Sequence, residues 1–166
     1  MVDKILQMEV FHELAKREIN LTGGEPSQNP HIVEIFKIFR KLTPNVRIHT
    51  NLDINSAKSQ RWLRLVEIMK LSGRVDFTLY PTVWEARQKP LLIEILRLQD
   101  ELIVNMIFEK VSDLLSQIEI LIVFFGEQEK KYPSVMSLLS TYRAKLESLL
   151  AENPGCNEAE FLKHME

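Results

Sequence analysis

The sequence predicts an α/β fold: a partial, open parallel (β/α) barrel of about four strands, followed by a helical C-terminal third. Three observations lead there. Short strand-like runs centred near Leu21, Ile48, Thr78 and Asn105 fall 27 to 30 residues apart, the length of one strand-plus-helix repeat. Amphipathic helical patterns fill the intervals between them. The last run, Leu102 to Phe108, is almost unbroken in apolar residues, which is how a parallel strand buried on both faces reads. A closed eight-unit barrel takes about 250 residues, so the 166 residues here hold only part of one. The expected division is a barrel segment over 1–126 and a helical extension packed on it over 127–166.

Composition bounds the function classes. With 45% hydrophobic and 27% charged residues, the chain has enough apolar material for a sizeable core. A net charge of −2 and a sequence pI near 6.1 give no basic excess of the kind that marks a nucleic-acid surface. The single cysteine, Cys156, excludes an intramolecular disulfide framework and fits a reducing compartment. Met1 to Ile5 lacks the basic start of a secretory signal. The longest apolar run, Ile120 to Phe125, falls well short of the roughly 18 residues that span a bilayer. A soluble, cytoplasmic chain with no membrane contact is the expectation.

Taken in order, Leu6, Val10 and Leu14 recur four apart with Phe11 beside them, predicting an amphipathic helix over about 3–18. His12 on that helix has no second metal ligand at helical spacing. Ile19 to Thr22 is the first strand, and it runs into Gly23-Gly24-Glu25-Pro26. Adjacent glycines accept positive φ and let another group approach the backbone, while Pro26 fixes the exit and pushes Glu25 towards an extended conformation. On the residues alone this is either a tight strand-to-helix turn with a solvated glutamate or a rigid loop that presents a carboxylate and bare backbone to a ligand. A helix follows from about His31 to Leu42, burying Ile32, Ile35, Phe36 and Phe39 beneath a solvated strip of Lys37, Arg40 and Lys41.

The second strand, Val46 to Asn51, carries Thr50 and Asn51 at its carboxyl end, with Asp53 and Asn55 just beyond. Parallel α/β folds place ligands outside the carboxyl ends of their strands, which makes these polar residues substrate-site candidates. His49 is either a satisfied core or surface histidine or a neighbour of that site. Ser56 is the predicted N-cap of a helix reaching Leu71, with Trp62, Leu65, Val66 and Met69 inward and Gly73 closing it. Val75 to Tyr80 is the third strand, and Tyr80 would hang over the same mouth as Glu25 and Asn51. Trp84 follows in a loop, as a lid or as a cover on the core. A helix around Leu91 to Asp100 leads into the fourth strand.

Val111, Leu114, Ile118, Leu121 and Phe125 fit one helical face stopped by Gly126. Ile118 to Phe125 alone would also pass as a buried strand, and the helix is the favoured reading. A charged linker over 127–131 precedes an amphipathic helix from about Ser134 to Ala151, with Val135, Leu138, Leu139, Tyr142, Leu146 and Leu149 inward. Asn157 and Glu160 form a capping-box pair for a last short helix, and Cys156 beside them is an incidental thiol. The phosphate-loop, dinucleotide, zinc-protease and nucleophile-elbow motifs are absent, and His12, His31, His49 and His164 lack zinc-ligand spacing. No metal ligands are assigned.

Leu21-Thr22-Gly23-Gly24-Glu25-Pro26 after a strand, Asn29-Pro30-His31 opening a helix, and Thr50-Asn51 ending the next strand together resemble the radical S-adenosylmethionine (radical SAM) enzymes. The resemblance covers roughly Asp3 to Phe108. It implies a radical SAM-like partial TIM-type barrel in which Gly23, Gly24 and Glu25 contact the amino group of S-adenosyl-L-methionine and Pro26 shapes the loop. Thr50, Asn51, Asp53 and Tyr80 would then lie near the substrate. The family also carries a Cys-x-x-x-Cys-x-x-Cys loop whose three thiolates hold a [4Fe-4S] cluster. That loop is absent here, and Cys156 alone cannot replace it. A cluster is therefore expected only if sequence outside this chain supplies the cysteines. Leu52 stands where the family often has glycine.

The expected function is thus the S-adenosylmethionine-binding part of a radical SAM enzyme, without reductive cleavage by this chain alone. The alternative is a non-catalytic partial-barrel scaffold that binds a small ligand or a partner protein. An open first-strand edge invites pairing with another chain. Hence the further expectation is either a piece of a longer protein or a chain completed by a partner or a second copy.

Overall fold

A computed structural model of the chain describes residues 18–99, 101–127 and 131–165, without the side chains of 164 and 165. The helix expected over 3–18, and His12 with it, lies outside the described residues. The elements run β1 (Ile19–Leu21), α1 (Ile32–Arg40), β2 (Val46–Thr50), α2 (Gln60–Lys70), β3 (Arg74–Leu79), α3 (Lys89–Leu98), β4 (Val104–Met106), α4 (Val111–Gly126), α5 (Pro133–Glu152) and α6 (Glu158–Met165). The chain divides into two compact units between Asn105 and Met106.

In the first unit the strands form one parallel sheet in the order β1-β2-β3-β4, with Ile19 opposite Val46 and Ile48 opposite Val75. Parallel crossovers are right-handed, so strands laid down in consecutive order keep their helices on one face. The strands alternate accordingly. Val46, Ile48, Val75, Phe77 and Leu79 are buried apolar residues of one parity, while Arg47, His49, Asp76 and Thr78 occupy the other. Against the apolar parity α1 contributes Ile32, Val33, Phe36 and Phe39, α2 contributes Trp62, Leu65, Ile68 and Met69, and α3 contributes Leu91, Leu92 and Ile95. Gly73 is required by close packing. A Cβ there would stand 2.5 Å from Ile68 Cγ2 and 2.6 Å from the Phe36 ring.

Three details differ from the sequence expectation, and the open alternative at Trp84 is decided. Ser59 caps α2, accepting from the Trp62 amide at 3.2 Å, while Ser56 accepts from the Lys58 amide in the turn before the helix. Trp84 is buried and opens a π-helical turn, Trp84–Gln88, that runs straight into α3, so it covers the core. The fourth strand shrinks to three residues, with Ile103 45% and Ile107 65% exposed. Leu102 to Phe108 therefore is not a doubly buried strand, because β4 is an edge strand of a sheet whose helices cover one face.

In the second unit α4 is a helix throughout, the favoured reading of this segment, and buries Val111, Leu114, Gln117, Ile118, Leu121, Phe124 and Phe125. Helix α5 keeps a narrow seam: Leu139 and Leu146, seven apart, are buried, whereas Leu138 and Tyr142 are exposed. A single partner stripe covers i and i+7 but not the flanks. The pair Asn157 and Glu160 caps α6 reciprocally, with bonds of 3.2 and 3.1 Å. Among the described residues no helix is long and apolar enough to cross a membrane.

Candidate functional site

The candidate site lies at the carboxyl ends of β1, β2 and β3. Gly23 and Gly24 leave β1 at φ 98° and 56°, a region that favours glycine. Both are exposed, and nothing stands within 4 Å of a Cβ built on either one. Conformation rather than crowding demands glycine here, and the backbone stays open to an approaching group.

Glu25 then turns inward. Its Oε1 accepts from the Ser27 amide at 3.0 Å and from the Thr50 hydroxyl at 2.7 Å, and its Oε2 accepts from the Asn51 amide at 2.8 Å. The first bond caps the 3-10 turn Pro26–Gln28, in which Pro26 and Ser27 are buried. The other two cross-link the β1 loop to the end of β2. A carboxylate offers about four acceptor positions, so one remains, on Oε2. The side chain is only 4% exposed, and Arg61 Nη2 stands 4.0 Å from Oε1. From α2, Arg61 Nε donates to Ser27 Oγ at 3.1 Å and Arg64 Nη1 to the Ser27 carbonyl at 3.0 Å. The hydrophilic Ser27 is held by these two arginines.

Thr50 also accepts from the Leu52 amide at 3.1 Å, and Asn51 Oδ1 accepts from the Asp53 amide at 2.9 Å. These side-chain-to-backbone turns end β2. Leu52 sits at φ 49° and is fully buried. The backbone thus takes a left-handed conformation with a leucine in place, and apolar burial offsets the strain. Asp53 pairs with Arg87, and Tyr80 projects half-exposed from the end of β3.

Gln88 joins these strand ends. It is fully buried, and its Nε2 donates to the carbonyls of Asn51 at 2.7 Å and Thr78 at 2.8 Å, while its Oε1 accepts from the Tyr80 amide at 2.9 Å. The structure therefore brings Glu25, Thr50 and Asn51 into direct contact, and it links Asn51 to Tyr80 through Gln88. Nothing in the local sequence around Gln88 announces this role, because its partners lie on other elements.

A second polar group escaped the sequence reading although its signal was present. Every second residue of the strands is polar: Asn20, Arg47 and His49, Asp76 and Thr78, Asn105. On this face Arg47 donates from Nε to Glu18 Oε2 and from Nη1 to Asp76 Oδ2, both at 2.8 Å. Asp76 Oδ1 accepts from the Ile103 amide at 2.9 Å. The bond from Arg47 holds the Glu18 carboxyl below its ordinary range. Burial alone would lower the Arg47 pKa, but the bonds to Asp76 and Glu18 outweigh it and raise the value. His49 Nε2 meets Thr78 Oγ1 at 2.8 Å, and Asn105 Nδ2 donates to His49 Nδ1 at 3.1 Å.

The residues present do not fit an iron–sulfur cluster. Three thiolates are needed, and the chain has one cysteine. Cys156 is buried in the second unit, its thiol pushed up by burial and by Glu160. Among the described residues no group of three His, Cys, Asp or Glu side chains could hold a metal ion. Comparison of the chain with protein-family models, with curated proteins and with solved structures finds no match.

Proposed function

We propose that the chain is a radical SAM-like binding module: a partial, open barrel that holds S-adenosyl-L-methionine, or a molecule sharing its amino-acid end, over the carboxyl ends of β1 and β2. One observation carries this reading. The Gly23-Gly24 backbone is open at positive φ, and the Glu25 carboxylate behind it is held by donors from its own turn and from β2. An ammonium group suits such a turn, since glycine carbonyls and the remaining Oε2 position all accept. Thr50 keeps that carboxylate oriented, and Asn51, Asp53 and Tyr80 face a second molecule. Reductive cleavage of the bound cofactor would need a cluster that these residues do not hold, and no such step is assigned to the chain.

A second reading, a non-catalytic scaffold for another small ligand or a partner protein, is favoured by the three bonds to Glu25, which hold the turn without any ligand. Calorimetric titration separates the two. The first reading expects saturable binding of S-adenosylmethionine and competition by methionine but not by adenosine. It also expects about a tenfold loss in G24A, where a left-handed alanine strains the turn. No heat with either S-adenosylmethionine or methionine, from protein shown to be folded, rejects it in favour of the scaffold.

A further inference from the structure

We infer that the polar face of the sheet carries its own binding cleft, for an uncharged polyhydroxylated molecule of about monosaccharide size. The cleft is a half-open depression of about 340 Å³ between Asn20 and Thr22 of the first strand and its end, Arg47 and His49 of β2, Asp76 of β3, and Asn105 of β4. That volume sits at the low end of small-molecule sites and suits roughly a dozen heavy atoms. It lies along the strands rather than over their carboxyl ends, and it stands independently of the S-adenosylmethionine reading.

The charges in the cleft select against charged ligands. Arg47 spends Nε on Glu18 and Nη1 on Asp76, and its Nη2 lies 3.6 Å from Glu101. Asp76 spends its second oxygen on the Ile103 amide. An anion could reach Arg47 only by displacing Asp76 or Glu18, and a cation only by drawing those carboxylates from Arg47, and the Arg47–Asp76 pair is already desolvated. The uncharged groups are different. Asn20 uses one amide hydrogen on Glu18, and Asn105 uses its amide nitrogen on His49. Among the described residues the Oδ1 atoms of both and the Thr22 hydroxyl carry no hydrogen bond. They offer acceptors and donors side by side, without charge, and a hydroxyl group is the complement that can both donate and accept. No Phe, Tyr or Trp ring lines the cleft, so a planar base lacks the large apolar platform it stacks on.

Solution NMR of the full chain, titrated with D-glucose and myo-inositol and with glucose 6-phosphate and D-glucuronate as charged counterparts, tests this. The neutral polyols are expected to shift the side-chain amide signals of Asn20 and Asn105 saturably, with the charged analogues binding no tighter. N105L and N20L, both at exposed positions, should each weaken binding about tenfold with an unchanged far-UV dichroism spectrum and melting curve. Three results overturn the assignment: no saturable shift at these amides, tighter binding of a charged analogue, or full affinity in both leucine variants. Because S-adenosylmethionine binding is read by calorimetry and by its loss in G24A, and this cleft by the Asn20 and Asn105 side-chain amides, either site can fail without the other.

Discussion

Replacing Gln88 tests whether one buried amide holds the strand ends together. Its side chain satisfies the carbonyls of Asn51 and Thr78 and the amide of Tyr80, at 2.7, 2.8 and 2.9 Å. Q88L removes all three partners at once. The Thr78 bond is buried and the other two are part-buried; at about 1–3 kcal/mol for each orphaned group, with the added apolar surface returning part of that, the loss is about 3–5 kcal/mol. Against a usual stability of about 5–15 kcal/mol this is a large fraction. With a urea dependence of about 2 kcal/mol per molar, the unfolding midpoint should fall by about 2 M. Both tryptophans, Trp62 and Trp84, are buried in the first compact unit, so their fluorescence reports the unit that Gln88 belongs to. Q88E adds a sign. A carboxylate facing two carbonyls is disfavoured, so its folded-state pKa rises above the free value of about 4.3. Its deficit against wild type should then be smallest in acid and grow as pH rises to 7. A Q88L midpoint within about 0.3 M of wild type, or a Q88E deficit independent of pH, would refute the clamp.

Other substitutions probe the rest of the site and its support. E25Q keeps one acceptor oxygen of the carboxylate bonded to Ser27, Thr50 and Asn51. It should cost about 2 kcal/mol in the same urea assay, and E25A about 3–5 kcal/mol. In G73A the new Cβ meets Phe36 and Ile68 at 2.5–2.6 Å; both are fully buried, so thermal melts should show a loss of about 2–3 kcal/mol. G24A has no clash and should cost only about 1 kcal/mol. The Glu18 carboxyl is held below its ordinary 4.5, first by its bond from Arg47. Its contribution is therefore present above that pH and lost as pH falls below it. The side chain is 41% exposed, so the gain stays under about 1 kcal/mol. The gap between wild type and E18Q should close as pH falls below 4.5, and a gap that widens in acid would reverse the assignment.

How much of this was legible in the sequence follows from how far apart the interacting residues lie. Local rules were enough for the glycine turn, where Gly23 and Gly24 take positive φ. They were enough for the reciprocal cap of Asn157 and Glu160, three apart. The repeat spacing likewise placed four parallel strands in one sheet. These features depend on backbone sterics and on side chains within a turn of one another, which any unfolded segment already carries. The alternation that marks the polar face was equally present in β2 and β3, as Arg47-Ile48-His49 and Asp76-Phe77-Thr78.

The tertiary structure alone decided which alternatives applied. Arg47 finds Asp76 across 29 positions and Gln88 finds Asn51 across 37, and no local pattern encodes either partner. The apolar run at Leu102 to Phe108 read as buried on both faces, yet Ile103 and Ile107 are exposed. A hydrophobic strand records only that it can be buried; its place at the sheet edge decides whether it is. Glu25 shows the same division most clearly. The sequence determined that a carboxylate follows two glycines at the end of a strand, and only the register of β1 against β2 turned it from the solvent to Thr50 and Asn51.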